Sequence, residues 1–158
     1  VALDSGHRLG VAGVYVPSRG ARGERNVAKR AVQAEVAGRL PQLRKRFGHG
    51  GPLIVAGDLN VVEPGHQPHH RVFGGWEYDF YRAFPAAGLV DAFRLMHPTA
   101  VEHSWFGRSG AGYRFDHLFF SDEHRACVTS CSYLQTPRTA GLSDHAALSA
   151  EILLPLLL

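Results

Sequence analysis

Four consecutive apolar residues, Leu53-Ile54-Val55-Ala56, run without interruption into Gly57-Asp58-Leu59-Asn60. An unbroken run of this kind reads as a strand buried on both faces, so other layers must cover it from each side. Its polar end puts a carboxylate and an amide at the carboxyl edge of a sheet, where ligand sites of α/β folds gather. Standing alone, Gly-Asp-x-Asn is equally well a plain turn, because Asp and Asn bond their own backbone there. Just upstream, Val32, Val36, Leu40, Leu43 and Phe47 recur at helical spacing and predict a helix over 24–47 that Pro41 kinks or splits. Arg25, Lys29, Arg39, Lys45 and Arg46 fall largely away from that stripe and read as a solvated face.

The rest of the chain follows the same logic. Val1–Leu3 and Leu9–Val16 are short apolar runs around Asp4–Arg8, a loose hairpin signal that ends at Pro17. Ser18–Gly23 is a basic loop, and Gly48–Pro52 breaks the helix ahead of the buried strand. The segment from Val61 to Gly75 is a long loop rich in His, Pro and Gly. Its His66, His69 and His70 read as solvated loop residues rather than a metal site, since no carboxylate framework accompanies them. Trp76 to His97 is broadly helical, interrupted near Pro85 and Gly88. His103–Phe106, Tyr113–Phe120, Val128–Leu134 and Ala146–Leu154 are strand candidates. Helix and strand alternate early and strands dominate late, which makes this an α/β chain with a mixed or largely antiparallel sheet.

A length of 158 residues suits one domain, and 45% apolar with 20% charged residues excludes a disordered chain. The 17 Lys plus Arg outnumber 14 Asp plus Glu, and most are arginines, which fits an anionic partner such as nucleic acid. Cys127 and Cys131 are too few for a disulfide framework. Together with His124 they suggest zinc, but without a fourth ligand they read as thiols on a strand in a reducing compartment. The start carries no signal peptide, and Leu153–Leu158 is too short to span a bilayer, so a cytoplasmic location without membrane attachment is expected.

Polar clusters recur at the ends of the predicted strands: Tyr15 ahead of Pro17, Asp58 with Asn60, Asp116, and Asp144 with His145. Asp116 sits inside the otherwise apolar Tyr113–Phe120 run, and an unpaired buried carboxylate is costly, so it needs a partner such as His145. Carboxylate, cation and imidazole are the groups that in-line attack on a phosphodiester requires, to activate water and neutralise phosphoryl charge.

In order, the chain reads Val14-Tyr15-Val16-Pro17, Gly57-Asp58-Leu59-Asn60, Ser104-Trp105-Phe106, Gly112-Tyr113-Arg114-Phe115-Asp116 and Ser143-Asp144-His145. This series, spread over residues 1–152, resembles the endonuclease/exonuclease/phosphatase superfamily, and within it the exonuclease III-like nucleases. The resemblance implies a DNase I-like four-layer α/β sandwich and a magnesium-dependent phosphodiesterase, with manganese as an alternative metal, acting on DNA as an exonuclease or abasic-site endonuclease. It implies that Tyr15 sets its phenol beside the scissile phosphate, Asp58 orients or deprotonates the attacking water, and Asn60 donates to a phosphate oxygen. Asp144 would ligate the metal, and His145 would bond the phosphoryl oxygen with Asp116 fixing its tautomer. Trp105 would pack on a nucleotide, with a core tryptophan as the rival reading. Arg114 and Arg19 are candidate phosphate contacts. Asp91, in Leu89-Val90-Asp91-Ala92-Phe93, matches a recurrent family segment but reads as structural.

The family pattern also has an early asparagine and a metal-binding glutamate ahead of the hairpin, and neither has a counterpart here; Glu24 and Glu35 fall in the predicted helix. Ser18 stands after Pro17 where asparagine is common. Residues 1–158 are therefore expected to form a partial domain, an incomplete sandwich that is aggregation-prone, homo-oligomeric or dependent on an amino-terminal segment. Two other functions stay open at this point: a catalytically incomplete half-domain serving as an interaction module, and a phosphatase or ribonuclease of the same superfamily.

Overall fold

The structure, a computed structural model, describes residues 1–2, 8–20, 23–47 and 51–154. Its centre is a four-stranded sheet in the order β1-β2-β6-β3, built from β1 (Gly10–Gly13), β2 (Leu53–Asp58), β3 (Leu89–Asp91) and β6 (Asp116–Ser121). β1 runs parallel to β2, while β6 pairs antiparallel with both β2 and β3. The Leu53–Ala56 run thus lies inside the sheet, as its continuous apolarity requires.

Alternation along β2 and β6 serves two cores. Leu53, Val55 and Phe119 face α1 (Gly23–Phe47) and α2 (Gly75–Ala86), packing with Leu40, Phe80, Tyr81 and Phe84. Phe119 and Phe84 stack with centroids 4.1 Å apart. Ile54, Ala56, Leu118 and Phe120 face the opposite way, onto α3 (Ala92–Met96) and a hairpin of β7 (Val128–Leu134) and β8 (Ala147–Ile152), with Phe93, Cys131 and Tyr133. Helices, sheet and second sheet make three successive layers of an α/β sandwich. Two small elements complete it: the pair β4 (Trp105–Phe106) and β5 (Gly112–Tyr113), and the short α4 (Thr136–Thr139).

Several expectations are corrected. Pro41 does not split α1, which runs continuously. Its ring faces solvent, and Leu40 on one side with Leu43 and Phe47 on the other anchor both halves to the same core. Lys29 is not on a solvated face but fully buried, because it is in phase with Val32 and Val36. The stretch 76–97 is not simply helical: Gly88, at φ +77°, ends the α2 segment and the three-residue β3 follows. Tyr113–Phe120 is two strands, parted at Arg114 and Phe115. The long 61–74 loop is pinned rather than solvated. His66 is buried, with Nδ1 3.0 Å from the Pro68 carbonyl and Nε2 accepting from the Arg114 N–H; His70 stacks on Tyr113 at 3.9 Å. Both cysteines are free, but only Cys131 is a buried thiol on a strand, β7; Cys127 is half-buried at the end of the short 3-10 helix that precedes it. The hairpin at the start is visible as the Ala2–Arg8 bridge and the Leu9 N–H to Val1 carbonyl bond of 2.8 Å; its connecting residues 3–7 lie outside the described residues. Among the described residues no helix is long and apolar enough to cross a membrane.

The largest correction concerns Arg114. It is fully buried and cannot meet a phosphate from solvent. Its guanidinium forks onto Asp91 (Nη2–Oδ2 2.8 Å, Nη1–Oδ1 3.3 Å) and donates to Glu63. Asp91 also accepts from the Tyr81 hydroxyl at 2.8 Å, and the His117 imidazole lies 3.3 Å away. Burial disfavours ionising Asp91, but Arg114 and His117 overcome it and hold the carboxyl far below the usual range. Asp91 is thus structural, also capping α3 through the Arg94 N–H. Replacing Arg114 with Met leaves two buried carboxylates short of their countercharge and is expected to cost about 3–5 kcal/mol of stability in urea unfolding. A change under about 1 kcal/mol, the scale of an exposed ion pair, would show that the cluster does not bear on the fold.

Candidate active site

The site begins where β2 ends. Gly57 adopts φ +148°, and a Cβ there would stand 1.9 Å from the Val14 carbonyl oxygen. Glycine therefore lets the chain after β1 pass directly beside β2, through Val14 N–H to Ala56 O and Val16 N–H to Asp58 O, each 2.9 Å. That crossing carries the exposed Tyr15 to the same edge as Asp58. The following turn is fixed from within. Asp58 Oδ1 accepts from the Asn60 N–H at 2.9 Å, and Oδ2 from the Asn60 side-chain amide at 2.8 Å. The same amide nitrogen donates to the Val16 carbonyl at 2.9 Å. Both amide hydrogens are thus engaged, so Asn60 reaches a phosphate oxygen only by releasing one of them.

Asp116 starts β6 directly opposite Asp58 in the antiparallel register. The partner its burial demands is present: His145 Nδ1 lies 2.7 Å from Asp116 Oδ2. Its backbone is held by Ser104, whose Oγ accepts from the Phe115 and Asp116 N–H groups at 2.9 and 3.1 Å, and by the Tyr133 hydroxyl on its carbonyl. His145 is brought over by the Trp105–His145 bridge and the Ala146 N–H to Ser104 O bond of 2.8 Å. Next to it the Trp105 indole N–H donates to Asp144 Oδ2 at 3.2 Å.

These groups line one cleft of about 470 Å³, shared by Tyr15, Ser18, Arg19, Asp58, Asn60, Trp105, Asp144 and His145. Asp116 lies immediately behind His145. One wall is aromatic: Trp105 stacks on Phe115 at 5.7 Å, and Phe115 on Tyr113 at 5.0 Å, with Phe73 edge-on. Trp105 is half-buried on this wall rather than in the core. Arg19 reaches the rim, where its guanidinium is tied to Glu77 (2.8 Å) and the Val72 carbonyl. Two residues of the expected set do not line the cleft: Arg114, which is fully buried, and Asp116, which reaches it only through His145. A second cavity of about 390 Å³ lies by Glu63 and Arg94, but these two are paired with each other at 2.7 Å.

Electrostatics separate the acid and base groups. Burial raises the Asp58 pKa, and the Asp116 carboxylate across the strands adds to it, against the Asn60 N–H bond. Burial works against a charged His145, yet the bond to Asp116 and the carboxylates of Asp116, Asp58 and Asp144 outweigh it, so its pKa is raised. Among the described residues no three acidic, histidine or cysteine side chains gather tightly enough to hold a metal by themselves. The Asp144 carboxylate, exposed and with one oxygen bonded only to an indole, still fits magnesium, which binds through one or two carboxylates and keeps several waters.

Ser104, Tyr133, Phe73, Tyr113 and Phe115 were not singled out from sequence as site residues. The alternation of Tyr113 and Phe115 around Arg114 carried the signal, since in extended chain it sends the two aromatics one way and the arginine the other.

No family model and no curated relative matches the sequence. Solved structures do. The chain is similar to the 3′-5′ exonuclease NExo from Neisseria meningitidis, with a TM-score of 0.80 and 23% identity, over 91% of this chain and 61% of that one. It is similar to the 3′ phosphatase NExo from Neisseria bound to a product DNA hairpin (TM-score 0.77, 22% identity, 90% of this chain and 60% of that one). It is similar also to an AP endonuclease from Archaeoglobus fulgidus (TM-score 0.73, 22% identity, 91% of this chain and 61% of that one). At these identities the likeness is one of fold: the mixed α/β, DNase I-like architecture expected from the motif series. The chain spans about three fifths of the length of these structures.

The Asp116–His145 pair gives a pH signature. Because the folded pKa of His145 is raised, its contribution to stability is complete below the unfolded pKa and fades as pH climbs through the folded one. In an NMR titration of the imidazole, Asp116→Asn should lower the His145 midpoint. An unchanged midpoint would mean that Asp116 does not support the charged ring.

Proposed function

We propose that this chain carries the phosphodiester-cleaving face of a divalent-metal-dependent DNA hydrolase, of exonuclease or abasic-site endonuclease type, of which the 158 residues form a part. The observation that supports it most is the meeting of Asp58, Asn60, Asp144 and the Asp116–His145 pair at one cleft with an aromatic wall. The solved structures of the same fold carry names of DNA-processing enzymes, one of them bound to a DNA hairpin, which favours DNA as partner.

In this reading a phosphodiester lies between His145 and Asp58 with a nucleotide against Trp105 and Phe115. Stacking on such a wall is worth about 1–3 kcal/mol per base and tolerates any sequence. Asp58 holds the attacking water and takes its proton; its raised pKa makes it a stronger base than an exposed aspartate. His145, charged through Asp116, offers Nε2 to a phosphoryl oxygen and offsets the charge that builds up there. Asn60 keeps Asp58 aimed and can turn one amide hydrogen to the phosphate. Tyr15, at the rim, hydrogen-bonds the phosphate from the side facing solvent. Asp144 would hold magnesium, or manganese, which supplies Lewis-acid neutralisation of the phosphoryl group when bound. The remainder of the catalytic unit, and further metal ligands, would come from residues outside these 158 or from a second copy of the chain.

The two titrations bracket the activity. Asp58 must be ionised and His145 protonated, so the rate should rise as pH passes the Asp58 pKa and fall as it passes that of His145, a bell-shaped profile. On an end-labelled oligonucleotide duplex with magnesium, Asp58→Ala should lower the cleavage rate about 10²–10⁴-fold. Equal rates for parent and variant, or cleavage indifferent to a chelator, would contradict the proposal. Running abasic duplex, single-stranded DNA, RNA and a 3′-phosphorylated end side by side ranks the substrates.

A further inference from the structure

We infer that Lys29 is a positioning residue for the Asp58–Asn60 turn: its ammonium, buried between Glu77 and the main-chain carbonyl of Asn60, holds Asn60 in a left-handed conformation and so aims its amide at Asp58. The inference rests on the reading of that turn as the catalytic one.

The geometry is specific. Lys29 on α1 and Glu77 on α2 both have fully buried side chains, and Nζ lies 2.6 Å from Glu77 Oε1. A second donor of the same ammonium meets the Asn60 carbonyl oxygen at 2.7 Å. Phe73 and Trp76 flank the charge at 5.7 Å each, closing it off from water. The other carboxylate oxygen of Glu77 takes Arg19 at 2.8 Å and the Gly74 N–H at 2.9 Å. One buried carboxylate therefore ties together two residues that line the cleft, Arg19 directly and Asn60 through Lys29.

A bond between two helices does not call for this arrangement. Apolar side chains would join α1 to α2 at least as well, because a buried ion pair often does no better than a hydrophobic pair of the same volume. What an apolar pair cannot do is satisfy the Asn60 carbonyl, which the turn directs into the interior. Asn60 is the non-glycine residue with positive φ among the described residues, at +48°. That conformation is uncommon for a residue with a Cβ, though Asn tolerates it better than most. It is also the conformation in which the Asn60 N–H and side-chain amide both reach Asp58. Lys29 bonds the carbonyl of the same residue, in the peptide unit that follows the one bonded to Asp58, so it touches no reacting atom. Burial lowers its pKa while Glu77 and Asp58 draw it back up, so the charge that holds the turn is sensitive to both carboxylates.

The test uses the whole chain and needs no substrate. In the paired variant Lys29→Met with Glu77→Gln, both fully buried charges are removed together and volume is kept; Arg19 loses Glu77 as its countercharge but is partly exposed and keeps the Val72 carbonyl. Labelled protein is followed by NMR. The expected result is displacement of the Asn60 backbone and side-chain amide signals, with an upward shift of the Asp58 carboxyl midpoint as its Asn60 hydrogen bonds are lost. A folded variant whose Asn60 signals and Asp58 midpoint match the parent overturns the inference, even if its melting temperature has fallen. A second measurement covers a variant that does not fold. In the unaltered chain, raising the pH through the Lys29 midpoint should move the Asn60 amide signals with that same midpoint, and signals that ignore the Lys29 titration overturn the inference equally. Because neither readout depends on cleavage, an inactive chain leaves this inference standing, and a negative result here leaves the hydrolase proposal standing.

Discussion

A single guanidinium, that of Arg114, sets the relative positions of most of this molecule. It lies fully buried, pointing away from the cleft-wall aromatics that flank Arg114 in sequence, and gathers Glu63 from the loop after β2, Asp91 from the end of β3 and, at 3.5 Å, the Tyr133 hydroxyl of β7. The Tyr133 hydroxyl in turn bonds the Asp116 carbonyl, and His117 reaches the Val61 carbonyl at 2.9 Å while lying against Asp91. Removing a charge from such a cluster leaves the others in low dielectric without water to replace it, which is why buried ionic groups behave as a unit. The consequence for function is geometric. Asp116 starts the strand that this cluster fixes, and the aromatic wall flanks the arginine in sequence, so the two sides of the cleft are referred to the same rigid point.

Above that base the site places like charges close together. Asp58 and Asp116 stand opposite each other on adjacent strands, an arrangement that repels when both are ionised. Two devices relieve it. Asn60 supplies two hydrogen bonds to Asp58, and His145 supplies a protonated ring to Asp116. Burial, with the Asp116 carboxylate adding to it, raises the Asp58 pKa, and the bond to Asp116 raises that of His145, the directions that the proposed phosphodiester hydrolysis calls for. Lys29 and Glu77 form a second buried ionic pair, on the helical side of the sheet, and bear on the same turn from behind.

Much of this was legible in the chain itself. Leu53–Ala56 could only be a covered strand, and the polar residues at its end had to emerge together. A carboxylate inside the apolar stretch around Asp116 had to find a partner, and His145 is that partner. What stayed hidden follows a pattern. Arg114 and Lys29 look like surface residues because their countercharges are remote in sequence: Glu63 and Asp91 lie 51 and 23 positions from Arg114, and Glu77 lies 48 from Lys29. Local pattern cannot report an ion pair whose halves meet only in the folded state. β3 has three residues, too few for any periodicity to show. Pro41 misled because a proline penalty is local, whereas α1 is held by packing on both sides of it.

In the proposed function Tyr15, Asn60, Trp105, Asp144 and His145 form one surface for a nucleotide phosphate. The most direct measurement is an NMR titration of the labelled chain with a short DNA oligonucleotide, with and without magnesium. The Trp105 indole N–H, the His145 ring and the Asn60 amide should shift together along one binding curve, and Asp144→Ala should remove the part that depends on magnesium. Shifts confined to other surfaces, such as the arginine-rich face of α1, with Trp105 and His145 unmoved, would contradict it.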